Sequence, residues 1–249
     1  MSTSEERKLD AIAGTYDPFS PEMEFDYWFV RLGFEAIAKL ITRGGSALEL
    51  GCSTGLMTSL LARVVGRLVI CEGSSVNIEI ACQRVAPAAN LSYIHSLWEE
   101  FNPDRSFDDI VLAGALEHVA DPVSILTRAA GWLSPFGRIH VVVPNARSLH
   151  RRVGKYMGCL GELHDLNESD VRIGHRRVYD RDSLLSHIHQ AGLSVLHWEG
   201  ILLKPLSNAQ MQGWSESLVR ALHEVGRELP DYCGEIYACC GPANSEERR

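Results

Sequence analysis

A chain of 249 residues that is 45% hydrophobic and 22% charged holds enough apolar material for a buried core without covalent staples, which sets wholesale disorder aside. Its formal net charge of -8 works against a general nucleic-acid binder, because neutralising phosphates takes a basic surface, although a local basic site is still allowed. Met1–Asp10 is polar and lacks the apolar core of a secretory signal, and no apolar run approaches the ~18 residues that cross a bilayer. The expectation is therefore a cytoplasmic protein with no membrane span and no nucleic-acid partner. Seven cysteines (Cys52, Cys71, Cys82, Cys159, Cys233, Cys239 and Cys240) form no CxxC pair, so they predict reduced core thiols and no metal site.

The first 45 residues read as helical, with Phe29, Leu32, Phe34, Ile37, Leu40 and Ile41 recurring at roughly helical spacing. Short apolar runs then alternate with helical patterns, the mark of a parallel sheet covered on both faces. Ser46–Leu50, Leu68–Glu72, Leu91–His95, Asp109–Ala113 and Ile139–Pro144 are predicted strands. Leu56–Val65, Val76–Val85 and Pro122–Leu133 are the helices between them, the last capped by Asp121 with Pro122 at its first position. Residues 146–181 contain no long apolar run and read as an inserted cap or long loop. A helix at Arg181–Ala191 ends at Gly192, and strands at Leu193–Leu203 and Glu235–Cys240 flank a helix near Ala209–Glu228. Residues 242–249 read as a tail.

The most informative segment is Ala47-Leu48-Glu49-Leu50-Gly51-Cys52-Ser53-Thr54-Gly55: a strand, a glycine turn, then a helix. Glycines suit a backbone that turns sharply and approaches a ligand closely. A dinucleotide-type G-x-G-x-x-G fails here, because Ser53 and Leu56 stand at its second and third glycine positions. Glu72 ends the next strand about 20 residues after the turn, where an acid can accept both hydroxyls of an adenosine ribose. Taken alone, Glu72 is equally a solvated strand end.

These segments resemble the class I S-adenosylmethionine (SAM)-dependent methyltransferases. Glu49–Gly55 is similar to that family's first motif, with Ser53 in place of its middle glycine, and Leu68–Ser74 to its second. Ala115-Leu116-Glu117-His118-Val119-Ala120-Asp121-Pro122 resembles the turn after its fourth strand. Leu133–Arg138 resembles the turn before its fifth, with Phe136 where glycine is common. The resemblance spans roughly residues 12–205. It implies a three-layer, Rossmann-like α/β sandwich with a seven-stranded, mostly parallel sheet whose last strand is antiparallel. One domain is expected, made of an N-terminal helical region (1–45), a SAM-binding core (46–145), a cap after strand 5 (146–181), a C-terminal part (182–241) and the tail.

By the same resemblance the cofactor is SAM, leaving as S-adenosylhomocysteine (SAH). Gly51, Cys52, Ser53 and Gly55 would line its methionine and ribose, Glu49 would lie near its amino group, and Glu72 with Gly73 would meet the ribose. Ala113 and Gly114 at the end of strand 4 complete the set. Leu97 stands where an acid usually meets the adenine, so backbone groups of Leu97 and Trp98 are the substitute. Trp98 reads equally as core packing. Tyr16, in a Tyr16-Asp17 pair, is similar to the segment that closes over SAM, and an aromatic face suits a sulfonium.

Activated methyl transfer mainly requires an in-line nucleophile and exclusion of water, with a base only where the acceptor must lose a proton. His118, at the carboxyl edge of the sheet, and His175 are the candidate bases. Either can equally be a locally bonded turn histidine. Residues 146–181 carry eight Lys or Arg against five Asp or Glu. His150, Arg152, Arg176, Arg177 and Tyr179 therefore become candidates for an anionic group on a small-molecule or carrier-linked acceptor, against the alternative of a solvated, self-paired surface. The expected reaction is methylation at oxygen or nitrogen. The rival readings are a dinucleotide-dependent oxidoreductase and a non-catalytic SAM-fold partner subunit.

Overall fold

In the computed structural model, which describes residues 3–243, the leucine- and valine-rich runs become seven strands. They are β1 (Ser46–Leu50), β2 (Arg67–Glu72), β3 (Leu91–His95), β4 (Phe107–Ala113), β5 (Leu133–Pro144), β6 (Leu193–Ile201) and β7 (Glu235–Pro242). One sheet holds them in the order β3-β2-β1-β4-β5-β7-β6. The pairs among β1 to β5 are parallel, while β7 runs antiparallel to both β5 and β6. This is the seven-stranded, mostly parallel α/β sheet that the resemblance implied. The strand order reverses beside β1, which pairs in parallel with both β2 and β4, so the carboxyl ends of these strands open a crevice suited to a ligand.

Helices cover both faces. Ile125, Leu126 and Ala129 of α5 (Pro122–Gly131) pack with Leu184 and Ile188 of α8 (Arg181–Gln190) on one side. On the other, Phe25, Phe29, Leu32, Ala36 and Ile37 of α2 (Glu24–Ile37) join Met57 and Leu61 of α3 (Leu56–Leu61) and Val219 of α10 (Glu216–Glu228). Asp121 caps α5 as expected, accepting from the Ser124 N–H, with Pro122 in the first turn.

The departures have local causes. The N-terminal region is two helices, α1 (Ser4–Ile12) and α2, separated by a turn that carries Tyr16 and Asp17. α1 opens on a capping box between Thr3 and Glu6. β5 begins at Leu133 instead of Ile139: Leu133 pairs with Phe107, Arg138 with Asp109, and the residues between bulge out with Phe136 at φ 67. The helix expected at Ala209–Glu228 is split into α9 (Asn208–Met211) and α10, because the Ser215 side chain accepts from the Leu218 N–H and starts a new helix. The cap contains α6 (Leu149–Tyr156) and α7 (Glu168–Arg172), tied by an ion pair between buried Arg151 and Asp170 at 3.1 Å. Of the expected tail, Pro242 closes β7, and residues 244–249 lie outside the described residues.

Candidate active site

A cavity of about 340 Å³ opens at the carboxyl ends of β1, β2 and β4, roofed by the N-terminal segment and by the cap. That size lies within the range of small-molecule and cofactor sites. The turn after β1 forms one wall. Gly51 (φ 85) and Gly55 (φ 93) both adopt left-handed backbone, and a Cβ on Gly51 would come within 3.0 Å of the Trp98 ring. Ser53, in the middle-glycine position, is also left-handed at φ 46, so the turn keeps its shape at some backbone strain.

Glu72 is buried at the end of β2 and spans two backbone segments. One carboxylate oxygen accepts from the Cys52 N–H at 3.0 Å and the other from the Ser74 N–H at 2.9 Å. Each oxygen keeps a second lone pair, and the residue lines the cavity. Asn77, one turn into α4 (Ser75–Arg84), also lines it, with a buried Oδ1 that has no partner. Trp98 donates its indole N–H to the Cys71 carbonyl at 3.1 Å, which sets its ring edge against Gly51. Tyr16 roofs the turn: its carbonyl accepts from the Ser53 hydroxyl at 3.3 Å, and Asp17 accepts from the Thr54 hydroxyl at 3.3 Å.

Of the residues expected at the cofactor, Tyr16, Gly51, Cys52, Ser53, Glu72, Trp98, Ala113 and Gly114 line this one cavity. Glu49, Gly55, Gly73 and Leu97 do not. Glu49 lies beneath the turn, 1% exposed, with Oε2 accepting from Thr58 at 2.7 Å and Oε1 unpartnered. Burial pushes its carboxyl up to about 8. Gly55 supports the turn from behind, facing Ala81 and Val85, and Gly73 gives room to Leu9 and Leu97.

The far end of the cavity is richer in acids than the sequence suggested. Asp26, Glu117, Asp170 and Glu235 all face it. Burial raises the carboxyls of Asp26 and Glu117, and that of Glu235 to about 8. Lys204 lies close behind them, over the Phe29 ring at 5.7 Å, its ammonium brought down to about 8 by burial. Asn208 donates to Asp26 at 2.9 Å while its own Oδ1 is unpartnered. Both histidines expected to do chemistry are here, with their rings in edge contact at 4.8 Å. Burial, reinforced by the charge of His175, depresses His118 to about 4. Burial would also depress His175, but the Asp170 carboxylate 3.3 Å from its Nδ1 and the charge of Glu117 outweigh it and raise the group.

His150 lines this end too, pushed down to about 2 by burial. The remaining cap candidates are elsewhere. Arg152 donates to the Arg147 carbonyl at 2.8 Å and stacks on Tyr232. Arg176 pairs with Glu5 on the surface at 3.1 Å. Arg177 gives its N–H groups to the carbonyls of Leu116, Val119 and Ala120, and Tyr179 points into the core toward His187. Only Arg151 among the cap arginines reaches the cavity, and its guanidinium is spent on Asp170 and the carbonyls of Leu163 and Asp165. The structure thus does not assemble the anion site that the charge count suggested. Asp26, Asn208 and Glu235 were missed in the sequence, since no local motif marks residues from α2, α9 and β7 that meet only through the sheet order.

The open sheet, the glycine turn and the acid at the end of β2 define a protein that binds an adenosine-type cofactor at the crevice beside β1. The sequence profile of the methyltransferase-domain family matches residues 27–198, and the chain belongs to that family. A ubiquinone biosynthesis O-methyltransferase of Dinoroseobacter shibae is 26% identical over 234 residues, covering 87% of this chain and 91% of the relative. Nodulation protein S of Sinorhizobium fredii is 29% identical over 156 residues, 59% of this chain and 70% of that protein. In shape, the crystal structure of the N-methyltransferase NodS from Bradyrhizobium japonicum with SAH superposes with a TM-score of 0.59 at 16% identity, covering 97% of this chain and 100% of the other. The protein is a SAM-dependent methyltransferase.

The site fits that cofactor. A turn that a Cβ on Gly51 would narrow, an unpartnered Asn77 Oδ1 and free lone pairs on Glu72 suit a nucleoside. Carboxyls on the cavity wall suit a sulfonium and an ammonium.

Proposed function

We propose that the chain methylates a hydroxyl or amine of a small molecule, or of a small group presented on a carrier, in the chamber formed by α2, the turn after β4 and the cap. The observation that carries this reading is the division of one cavity into two ends. A glycine turn with Glu72 and Asn77 lies at one end, and a histidine pair among carboxyls at the other. Bound SAM supplies a methyl group already made electrophilic by its sulfonium. Gly51, Cys52, Glu72 and Asn77 hold the cofactor, and Tyr16 and Leu9 shield it from water.

At the other end the unfilled acceptor atoms, Asn208 Oδ1 and Glu117 Oε2, favour an acceptor rich in hydrogen-bond donors over an anionic one. Burial keeps His118 neutral at physiological pH, so it has a ring lone pair for the acceptor's proton. Of the proteins named above, the relative from ubiquinone biosynthesis is an O-methyltransferase and the structural neighbour an N-methyltransferase, so both acceptor atoms stay open. Seven free cysteines fit a reducing, cytoplasmic setting, and among the described residues no helix is long and apolar enough to cross a membrane.

Calorimetry with SAM, SAH and NAD, followed by label transfer from methyl-labelled SAM to panels of hydroxyl and amine acceptors, tests the proposal. Affinity for SAH without affinity for NAD, and label on a neutral or cationic acceptor, is the expected result. Transfer confined to phosphorylated or carboxylated acceptors would overturn the acceptor reading.

A further inference from the structure

Glu117, His118 and His175 each offer one ligand atom, and these atoms lie within 4.8 Å of one another on the cavity wall. We propose that this triad is a binding site for a first-row divalent cation, and that the ion's open positions take an acceptor hydroxyl. The second half of this proposal rests on the methyl-transfer reading above, and the first half does not.

Two imidazoles and one carboxylate form the donor set that such ions prefer over magnesium or calcium, and it leaves positions open for a ligand. The cluster is also supported from behind in the manner of a metal centre. His175 has Nδ1 3.3 Å from Asp170 Oδ1, while its Nε2 points to Glu117, 3.8 Å from Oε1. The Asp170 carboxylate at that distance forms no hydrogen bond with Nδ1, but its charge favours a proton there and leaves the lone pair on Nε2, which faces Glu117. Asp170 is itself held, since its Oδ2 accepts from the Asn167 N–H at 3.0 Å and from Arg151 at 3.1 Å.

The third observation is an unmet need. Glu117 Oε2 is buried and has no hydrogen-bond partner, a costly state for a carboxylate oxygen that an ion would relieve. The backbone that carries these ligands is clamped. Arg177 binds the carbonyls of Leu116, Val119 and Ala120, and the Arg176 N–H donates to the Glu117 carbonyl at 2.9 Å. The ligands thus come from two rigidly joined loops, one after β4 and one after α7. In the ion-loaded protein the His118 lone pair and the Glu117 carboxylate are spent on the metal, which takes over the roles given to them above. Coordination would lower the pKa of an acceptor hydroxyl, whose proton would leave to solvent rather than to the imidazole.

The test is metal binding to the chelator-stripped full chain. Mn²⁺ is followed by loss of the free-ion electron paramagnetic resonance signal, Co²⁺ by its visible absorption, and SAH affinity is measured in parallel by calorimetry. The wild-type chain is expected to bind a single ion of either metal. His175→Ala and Glu117→Gln should each weaken binding by at least about tenfold, and Asp170→Asn by roughly 10–100-fold through loss of the outer contact. SAH affinity should be retained in all three, which shows that they fold. If neither ion binds, or if the variants bind it as well as the wild type does (as exposed Cys82 and Cys159 would allow), the site is overturned. Metal bound by the triad with no affinity for SAH would leave the ion site standing and remove the methyl-transfer reading instead.

Discussion

Glu72 and Glu49 are both buried acids near the same turn, yet their surroundings give them opposite roles. Glu72 accepts two backbone N–H bonds and still faces the cavity. Glu72→Gln would put an NH₂ against one of those two N–H donors and leave a poorer acceptor for ribose. Hydrogen bonds to charged groups are worth about 1.5–3 kcal/mol, so SAH should bind roughly 10–100-fold more weakly by calorimetry. Retained affinity would detach Glu72 from the cofactor.

Glu49 has one bonded and one unpartnered oxygen in the core, and burial lifts its carboxyl from 4.5 to about 8. The native state therefore holds this proton more tightly than the unfolded chain does. Its contribution is fully present below the unfolded value and is lost as pH rises through about 8. Glu49→Gln cannot titrate and retains an acceptor for Thr58. In the ligand-free protein, the stability of the wild type should accordingly fall relative to the variant between pH 5 and 8, by a few kcal/mol at most. Denaturant midpoints of the two proteins at both ends of that window check it, and parallel pH profiles would refute it.

At this scale the sequence reveals residues that share a contiguous motif. It conceals whether a charge is already spent: the basic count of the cap suggested an anion site, but Arg152, Arg176 and Arg177 give their N–H groups to carbonyls and to Glu5.

Among the elements, the turn between β1 and α3 is the one whose backbone leaves the least freedom. Alanine at position 55 would need a left-handed backbone at φ 93, and its Cβ would come within 2.8 Å of Val85 Cγ2 and 3.2 Å of the Ala81 Cα. Left-handed strain alone costs about 1–2 kcal/mol, and the contact with α4 adds to it. Gly55→Ala should lower the unfolding temperature by roughly 4 °C or more, given ~2–4 °C per kcal/mol for a chain of this size. A thermal scan that shows no shift would mean the turn relaxes freely.

Strand positions were legible because their apolar runs are short and sharply bounded, and Ser46–Leu50 and Leu91–His95 fall where the sequence places them. Boundaries that depend on tertiary pairing were not. The start of β5 at Leu133 follows from its pairing with Phe107 across a bulge, and the break between α9 and α10 follows from the Ser215 cap. Each of these overrides a pattern that would otherwise run on.

Over the whole molecule, access to the cofactor end depends on how the N-terminal segment is fastened to the core. Family resemblance gave seven strands with the last antiparallel, but neither it nor residue patterning gave the strand order that brings Asp26 and Glu235 into one chamber. The fastening is legible only in three dimensions. Asp17 forms a two-point ion pair with Arg84 of α4 at 2.5 and 2.9 Å, and Asp10 accepts from Ser74 at 2.7 Å. Glu5 pairs with Arg176 of the cap at 3.1 Å. Between these ties lie Leu9, Ile12 and Tyr16, which close the cavity.

Ion pairs this close to solvent contribute about 0.2–1 kcal/mol and are screened by salt, so they are suited to a cover that must open on every turnover. Asp17→Ala should leave the unfolding midpoint almost unchanged and speed SAH release by roughly two- to fivefold, the rate equivalent of that energy. Raising the ionic strength should speed release from the wild type toward the rate of the variant and change the variant less. Stopped-flow displacement of SAH at low and high salt measures both rates. Equal release rates for the two proteins at low salt would mean that the segment does not gate the cofactor, and that the energy of this clasp serves only to hold α1 against α4.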